Sequence, residues 1–448
     1  MGSDQMKDLL AEYDARPSHL LQLAGTRASA AAYALRDFLS RNQVPFEWIE
    51  LDETRTDSVP VEFRDLDLAV LPICLLPDGS RLEAPTIDQL AAALGLLREP
   101  SLDEYDLAIV GAGPAGLGAA VYAASDGLRT IVLEAVAPGG QAGTSSMIEN
   151  YLGFPDGISG GELALRAREQ ARRFGAELLI ARSVTRVLQA GGVFHNELSD
   201  GNVVRSLATL AAGGVEWRRL DVPGVAELLG SGVYYGASPA EGARCRGEDI
   251  AIVGGGNSAG QAAIYFARHA NRVTVLVRDA SLDTHMSRYL VDRIAETDNI
   301  EVKAGLEIVE VVGDDWVRAV RLRDRATAEV KEFPLDALFV CIGGLPRSDW
   351  VAKLGVARDR GGFILTGIDI GPDVIADLDR PLAREPFPLE TNVPGLFAAG
   401  DVRYGSIKRV SAAIGEGAGA VAMVHRWLNY TLEHPNANPM EGAVRPRS

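Results

Sequence analysis

Short apolar runs alternate with segments of helical periodicity along most of the chain. One strand–helix–strand pattern occurs twice: YDLAIV (105–110) and LRTIVLE (128–134) flank one helical segment, and EDIAIV (248–253) and NRVTVLVR (271–278) flank another. Apolar runs of this length next to glycine-rich turns are typical of strands buried in a parallel sheet. The repeat therefore predicts two βαβ units and an α/β fold.

Residues 1–100 carry a different pattern, which predicts a separate unit. The pattern predicts a strand at 20–25, a helix at 29–43, a strand at 44–52, a hairpin at 68–82 and a closing helix from 85. Tyr33, Leu35 and Phe38 share one face of the first helix, and Thr86 is a candidate N-cap of the second. A polar segment, REPSLDE (98–104), links this unit to the first repeat.

The turn after the first repeated strand reads GAGPAG (111–116). Gly111 permits the tight turn, Gly113 lets the backbone approach a pyrophosphate, and Gly116 allows close packing of helix on strand. The helix N-terminus offers unpaired N–H groups to phosphates. Glu134 ends the next strand, where a carboxylate can accept hydrogen bonds from ribose hydroxyls. Together these features predict a Rossmann-like dinucleotide-binding domain.

The second turn, GGGNSAG (254–260), has alanine in the third glycine position, which the motif permits. At the end of the next strand stands Arg278 rather than an acid, which favours a 2′-phosphate and hence NADPH over NADH. The neighbouring Asp279 weakens this preference, and a plain surface cation is the alternative interpretation of Arg278. The expected binding residues are Gly254, Gly256, Asn257, Ser258, Ala259 and Arg278.

Composition narrows the class of protein. The 448 residues suggest about three domains, at roughly 150 residues each. A net charge of −17 argues against nucleic-acid binding. The absence of a long apolar run argues against a membrane protein. The polar, acidic start MGSDQMKDLLAEYD lacks the features of a signal peptide, so a cytoplasmic location is expected. The three cysteines are far apart and the six histidines scattered, which indicates no metal site.

Six motifs follow in order: GAGPAG (111–116), PGGQ (138–141), IENYLGFP (148–155), GGGNSAG (254–260), LFAAGDVR (396–403) and IGEGAGA (414–420). From about Asp103 onward, the chain resembles the low-molecular-weight thioredoxin reductase family of flavoproteins. The resemblance implies an FAD domain at 103–224 and 342–448 and an NAD(P)H domain at 225–341. It also implies a homodimer and rotation of the nucleotide domain relative to the FAD domain.

The resemblance also implies the residues that contact FAD. They are Gly111, Gly113, Pro114, Ala115, Gly116, Glu134, Gly140, Gln141, Asn150, Gly400, Asp401, Lys408, Arg409 and Val410. A cation at Lys408 or Arg409 would stabilise the anionic reduced flavin. An exposed Lys–Arg pair at a helix start is the alternative interpretation.

The chain departs from the family at its redox-active cysteines. Thioredoxin reductases carry a CxxC pair shortly before the second fingerprint, but positions 236–240 here read GASPA. Tyr234, Tyr235 and Ser238, with Arg409, are candidates to line an acceptor pocket instead, although the tyrosines could equally be filler. Cys245 has no cysteine near it in sequence, and an inert apolar role is expected for it.

The first 100 residues resemble a glutaredoxin or thioredoxin fold, with Pro72 at the position of that fold's cis-proline. Its cysteine motif is replaced by GTRAS (25–29), so this resemblance implies a redox-silent docking domain. A generic α/β extension is the alternative.

The leading functional hypothesis is an FAD-dependent NAD(P)H oxidoreductase whose electron acceptor is not a CxxC disulfide. The acceptor could be a small electrophile, a quinone, an iron–sulfur protein or oxygen. A redox or nucleotide sensor that signals through the N-terminal domain is the second hypothesis. Thioredoxin-disulfide reduction through Cys245 or Cys74 is the third.

Overall fold

The computed structural model describes residues 20–26, 29–51, 63, 70–236, 242, 245–372 and 384–434. Leu21–Ala93 form an N-terminal unit, comprising β1 (Leu21–Gly25), α1 (Ala30–Arg41), β2 (Phe46–Glu50), β3 (Ile73–Leu75), β4 (Arg81–Glu83) and α2 (Ile87–Ala93). The sheet order is β2-β1-β3-β4, with β1 and β2 parallel and the other pairs antiparallel. Thr86 caps α2 as predicted, and the Leu71–Pro72 peptide is cis.

A seven-stranded sheet carries the first fingerprint. Its strands are β5 (Tyr105–Val110), β6 (Thr130–Leu133), β7 (Glu177–Leu179), β8 (Val184–Ala190), β9 (Val193–Leu198), β10 (Val203–Ala211) and β21 (Leu396–Ala398). The pairs β8–β9 and β9–β10 are antiparallel, and the other strand pairs of this sheet are parallel. The associated helices are α3 (Pro114–Ser125), α4 (Gly160–Arg173) and α7 (Val410–Glu433), with 3₁₀ turns at Ala142–Thr144, Asp349–Leu354, Gly367–Asp369 and Gly400–Val402.

A five-stranded parallel sheet carries the second fingerprint. Its strands are β12 (Val233–Tyr235), β13 (Asp249–Val253), β14 (Arg272–Val277), β15 (Ile300–Ala304) and β19 (Ala337–Val340). Helices α5 (Asn257–Phe266) and α6 (Arg288–Ala295) belong to it. A three-stranded antiparallel sheet of β16 (Leu306–Gly313), β17 (Val317–Asp324) and β18 (Val330–Pro334) follows β15 in the chain.

The chain passes between the two main sheets twice, and the two connecting strands pair with each other. β11 (Val215–Trp217) follows β10, β20 (Gly344–Pro346) follows β19, and the two form an antiparallel ribbon. The predicted fold class, α/β with two Rossmann-like sheets, is confirmed. No described helix is both long and apolar enough to cross a membrane.

The N-terminal unit contacts both main sheets through α1. At one end of the helix, the ring of Tyr33 lies 5.4 Å from that of Tyr234 on β12. Just past the other end, the Asn42 amide donates to the carbonyl oxygen of Val136, which follows β6, at 3.1 Å. The buried Arg182 side chain donates to the Arg98 carbonyl at 2.7 Å and so holds the linker segment in place.

Candidate functional site

The first fingerprint forms an open cradle at the carboxyl end of β5. Gly111 has a φ of +108°, a backbone conformation that disfavours other residues. A Cβ on Gly116 would collide with the Gly111 carbonyl, so this glycine allows the close packing predicted for it. At Gly113 a Cβ would meet no atom closer than the Gly140 Cα at 4.0 Å, so a ligand can approach the backbone there. No side chain caps α3, and its first N–H groups remain available to an anion.

Glu134 organises the loops around this cradle. Its carboxylate accepts hydrogen bonds from the backbone N–H of Ala112 at 2.7 Å and of Val136 at 2.9 Å. The side chain is buried, yet it reaches the cleft wall. An anionic acceptor held in this way is well suited to ribose hydroxyls, as the sequence predicts.

The motif around Gly400 forms another wall of the cleft and is tied to α7. The Gly400 N–H donates to the Glu416 carboxylate at 2.7 Å, and Arg403 pairs with the same carboxylate at 2.8 Å. Burial raises the pKa of Asp401 above its ordinary value. The Lys408 ammonium donates to the Asp401 carbonyl at 2.7 Å, and desolvation lowers its pKa.

The second fingerprint repeats the geometry of the first. Gly254 has a φ of +147°, and a Cβ there would strike the Cys341 carbonyl. A Cβ on Gly256 would meet nothing within 4 Å, and no side chain caps α5. The Asn257 side chain exchanges hydrogen bonds with Ser287, at 2.7 Å to its N–H and 2.9 Å to its hydroxyl. This second uncapped helix N-terminus fits the phosphates of another dinucleotide.

The two fingerprints open into one cleft of about 320 Å³. This volume lies within the range of roughly 300–1,000 Å³ that is typical of ligand pockets. The predicted residues on its wall are Gly111, Gly113, Pro114, Ala115, Glu134, Gly140, Gln141, Asn150, Asn257, Ser258, Gly400, Asp401, Lys408, Arg409 and Val410. The residues present thus fit FAD at the first cradle and a pyridine nucleotide at the second.

Other predicted residues do not line this cleft. Gly116, Gly254 and Ala259 are packed within the two turns, whereas Gly256 faces open space. Arg278 is exposed at the end of β14, and Ser238 lies outside the described residues. Tyr234 and Tyr235 are also absent from the cleft wall, which favours the alternative that these two side chains fill space. Tyr234 is buried between Tyr33 and Phe339, while the Tyr235 hydroxyl accepts from the Leu220 N–H at 2.9 Å.

Several wall residues were not predicted from the sequence. Arg41 comes from the N-terminal unit and Trp217 from the β11–β20 ribbon. Gln261 lies one turn into α5, and this helical spacing from Asn257 could have identified it. Nothing in the local sequence marks Arg41 or Trp217, because both reach the cleft only through tertiary packing.

Two polar contacts hold the cleft closed across its two sheets. Arg293 of α6 pairs with Glu149 at 2.5 Å. The Arg409 guanidinium donates to the Ser287 hydroxyl at 3.2 Å. Because each contact joins a residue near one cradle to a residue near the other, the pair stabilises the arrangement in which the cradles face one cleft.

Comparison with known proteins agrees with this geometry. The model of the pyridine nucleotide-disulphide oxidoreductase family matches residues 105–417. Thioredoxin reductase of Bacillus subtilis is 33% identical over 330 residues, which cover 73% of this chain and 96% of that protein. The bifunctional thioredoxin reductase/thioredoxin of Mycobacterium leprae is 34% identical over 344 residues, covering 76% and 69% respectively.

Among solved structures, Lactococcus lactis thioredoxin reductase in its FR conformation superposes with a TM-score of 0.65 at 30% identity. The superposition covers 73% of this chain and 99% of that one. The family match, the identity and the shared fold agree. The chain therefore belongs to the pyridine nucleotide-disulphide oxidoreductase family, as a thioredoxin reductase-like enzyme that uses FAD and NADPH.

Proposed function

We propose that this enzyme passes electrons from NADPH through FAD to an acceptor other than a CxxC disulfide. The observation that carries the proposal is the single cleft lined by both fingerprints, in a chain whose positions 236–240 lack the cysteine pair. NADPH supplies two electrons as hydride, which bound FAD can accept and pass on. The acceptor must therefore reach the cleft itself, as a small electrophile, a quinone, oxygen or the edge of an iron–sulfur protein.

The positions of the three cysteines support this proposal. Cys74 lies in the core of the N-terminal unit, where burial raises its thiol pKa to about 12. Cys341 lies on the cleft wall, yet burial also raises its pKa to about 12. Cys245 is 3% exposed. Since the thiolate is the nucleophile in disulfide exchange, thiols with such pKa values are poor replacements for a catalytic pair.

The surroundings of Gly236 also support it. A Cβ on Gly236 would lie 2.9 Å from the indole of Trp217, so the chain passes close to this ring. Both residues line the cleft, next to the segment that carries the sulfur pair in the relatives this chain resembles. An aromatic wall at this point favours a flat or apolar acceptor over a protein disulfide.

The N-terminal unit is proposed to be a redox-silent thioredoxin-like domain. Its strand order and helix positions fit such a fold, and Ser29 stands at the start of α1, where its hydroxyl accepts from the Ala32 N–H at 3.1 Å. A hydroxyl that caps a helix cannot form a disulfide. The resemblance to thioredoxin reductases further suggests that two copies of the chain associate as a homodimer.

Anaerobic stopped-flow mixing of the holoenzyme with NADPH tests the proposal, followed by a screen of quinones, dyes, oxygen and thioredoxin as acceptors. We expect rapid loss of flavin absorbance, then turnover with a non-disulfide acceptor that a Cys74→Ala, Cys245→Ala, Cys341→Ala variant retains. Turnover of thioredoxin that is lost in this variant would overturn the proposal. Stoichiometric reduction without turnover by any acceptor would instead favour a redox sensor.

A further inference from the structure

The C-terminal end of α1 brings a cation of the N-terminal unit to the FAD cleft. Arg41, the last residue of this helix, lies on the cleft wall together with Gly113, Gly140 and Glu134. Its guanidinium donates to the Gly140 carbonyl at 3.4 Å. A Cβ on Gly140 would lie 3.1 Å from the Gly113 Cα, so the guanidinium stands beside the turn that fits a pyrophosphate.

Two neighbouring side chains fix the backbone that carries Arg41. The Asn42 amide donates to the Phe38 carbonyl at 2.9 Å and to the Val136 carbonyl at 3.1 Å. The Gln43 amide donates to the Gly161 carbonyl at 3.2 Å. This end of α1 is therefore anchored to two separate segments that flank the first cradle in the sequence, and the backbone of Arg41 needs little reorganisation when a ligand binds.

The two turns of the first cradle supply no positively charged side chain to a bound pyrophosphate. The turns GAGPAG (111–116) and PGGQ (138–141) contain no charged residue, and Glu134 beside them is an acid. Within these two turns a pyrophosphate would meet backbone N–H groups and the helix dipole, and the acid would repel it. Arg41 is only partly paired, since Asp37 lies 3.5 Å away and both side chains remain about a quarter exposed, at 23% and 28%.

We propose that Arg41 binds the pyrophosphate of FAD, so that the N-terminal unit completes the flavin site. A bidentate guanidinium supplies the charge-assisted hydrogen bonds that the fingerprint lacks. The N-terminal unit then has a function that requires no cysteine chemistry, because it helps the enzyme to retain its flavin.

The test uses the full chain, stripped of flavin and titrated with FAD by fluorescence quenching at two salt concentrations. Arg41→Met and Arg41→Lys both keep the aliphatic stem that packs at the rim, and they differ in charge. We expect Arg41→Met to weaken FAD binding about tenfold or more and to reduce its salt dependence. Arg41→Lys should retain most of the affinity. Equal FAD affinities for these two variants would overturn the proposal.

Two further variants separate ligand binding from stability. Arg81→Met removes an exposed arginine of the same unit, paired with Glu83 at 2.8 Å, and should leave FAD binding unchanged. Asp37→Asn releases Arg41 from its partner and should leave FAD binding unchanged or tighten it. If Asp37→Asn weakened FAD binding as much as Arg41→Met, the Asp37–Arg41 pair would act only in holding α1, and the proposal would fail. Thermal melts of the flavin-free variants report folding independently of FAD binding and of NADPH oxidation.

Discussion

Replacing Glu149 with glutamine should slow flavin reduction by loosening the closed cleft. Arg293 reaches both carboxylate oxygens of Glu149, at 2.5 and 2.6 Å. The side chains are 41% and 32% exposed, so water screens the pair, and we expect it to contribute about 1 kcal/mol. That free energy corresponds to about a fivefold change in the ratio of closed to open molecules, which is the upper limit for the effect on rate.

The measurement is the anaerobic stopped-flow rate of flavin bleaching by NADPH over a range of ionic strengths. Glu149→Gln and Arg293→Gln should each lower the rate and remove part of its salt dependence, and the double variant should be no slower than either. Arg288→Gln is the matched control, because Arg288 lies on the same helix and pairs with Asp292 of that helix at 2.8 Å. If all three variants at the pair matched the unmodified enzyme at every salt concentration, the reasoning about closure would be refuted.

Three further predictions concern the cysteines, the first turn and the coenzyme phosphate. Cys74 and Cys341, each with a pKa of about 12, should resist iodoacetamide in the folded enzyme at pH 8 and react once it is unfolded; rapid labelling of the native protein would contradict this. In the folded protein these thiol pKa values lie above the unfolded value of about 8.5, so the protonated thiols contribute their full stabilisation below that pH. This contribution should decline as pH rises toward 12, and melting temperatures measured over that pH range would show the decline. Gly116→Ala should yield colourless or unstable protein, because its Cβ would collide with the Gly111 carbonyl. Normal FAD content would speak against that. Arg278→Ala should raise KM for NADPH about tenfold and leave that for NADH unchanged; an equal effect on both coenzymes would exclude a contact with the 2′-phosphate.

The sequence predicted those parts of the molecule in which the physical constraint is local. A glycine is required at Gly111 and Gly254 by the turns, and at Gly116 by the packing of its helix, so the glycine spacing alone predicts where the two turns lie. The strand–helix–strand, hairpin, helix order of the N-terminal unit was predictable for the same reason, since capping by Thr86 and the apolar face of α1 are local patterns.

The rest of the cleft depends on contacts between segments distant in sequence. Arg41 and Gly140 are separated by 99 positions. Tyr234 reads like a pocket residue from its place beside the missing cysteine pair. Its burial follows from Tyr33 and Phe339, which only the docking of α1 and the pairing of β12 with β19 bring together. The periodicity of apolar residues along the chain does not predict which distant segments become neighbours.

The missing cysteine pair and the docked N-terminal unit are consistent with each other in physical terms. An enzyme that alternates between reducing its flavin and reducing a disulfide relay needs two domain orientations of similar free energy. Here α1 contacts both main sheets, through Tyr33 at one end and Asn42 at the other, and the Arg293–Glu149 pair adds to the bias. Under the proposed function there is no disulfide relay to reduce, so the second orientation would offer no catalytic gain. Contacts that favour the closed cleft therefore do not lower the turnover rate, provided that the acceptor binds at the place that the nicotinamide leaves.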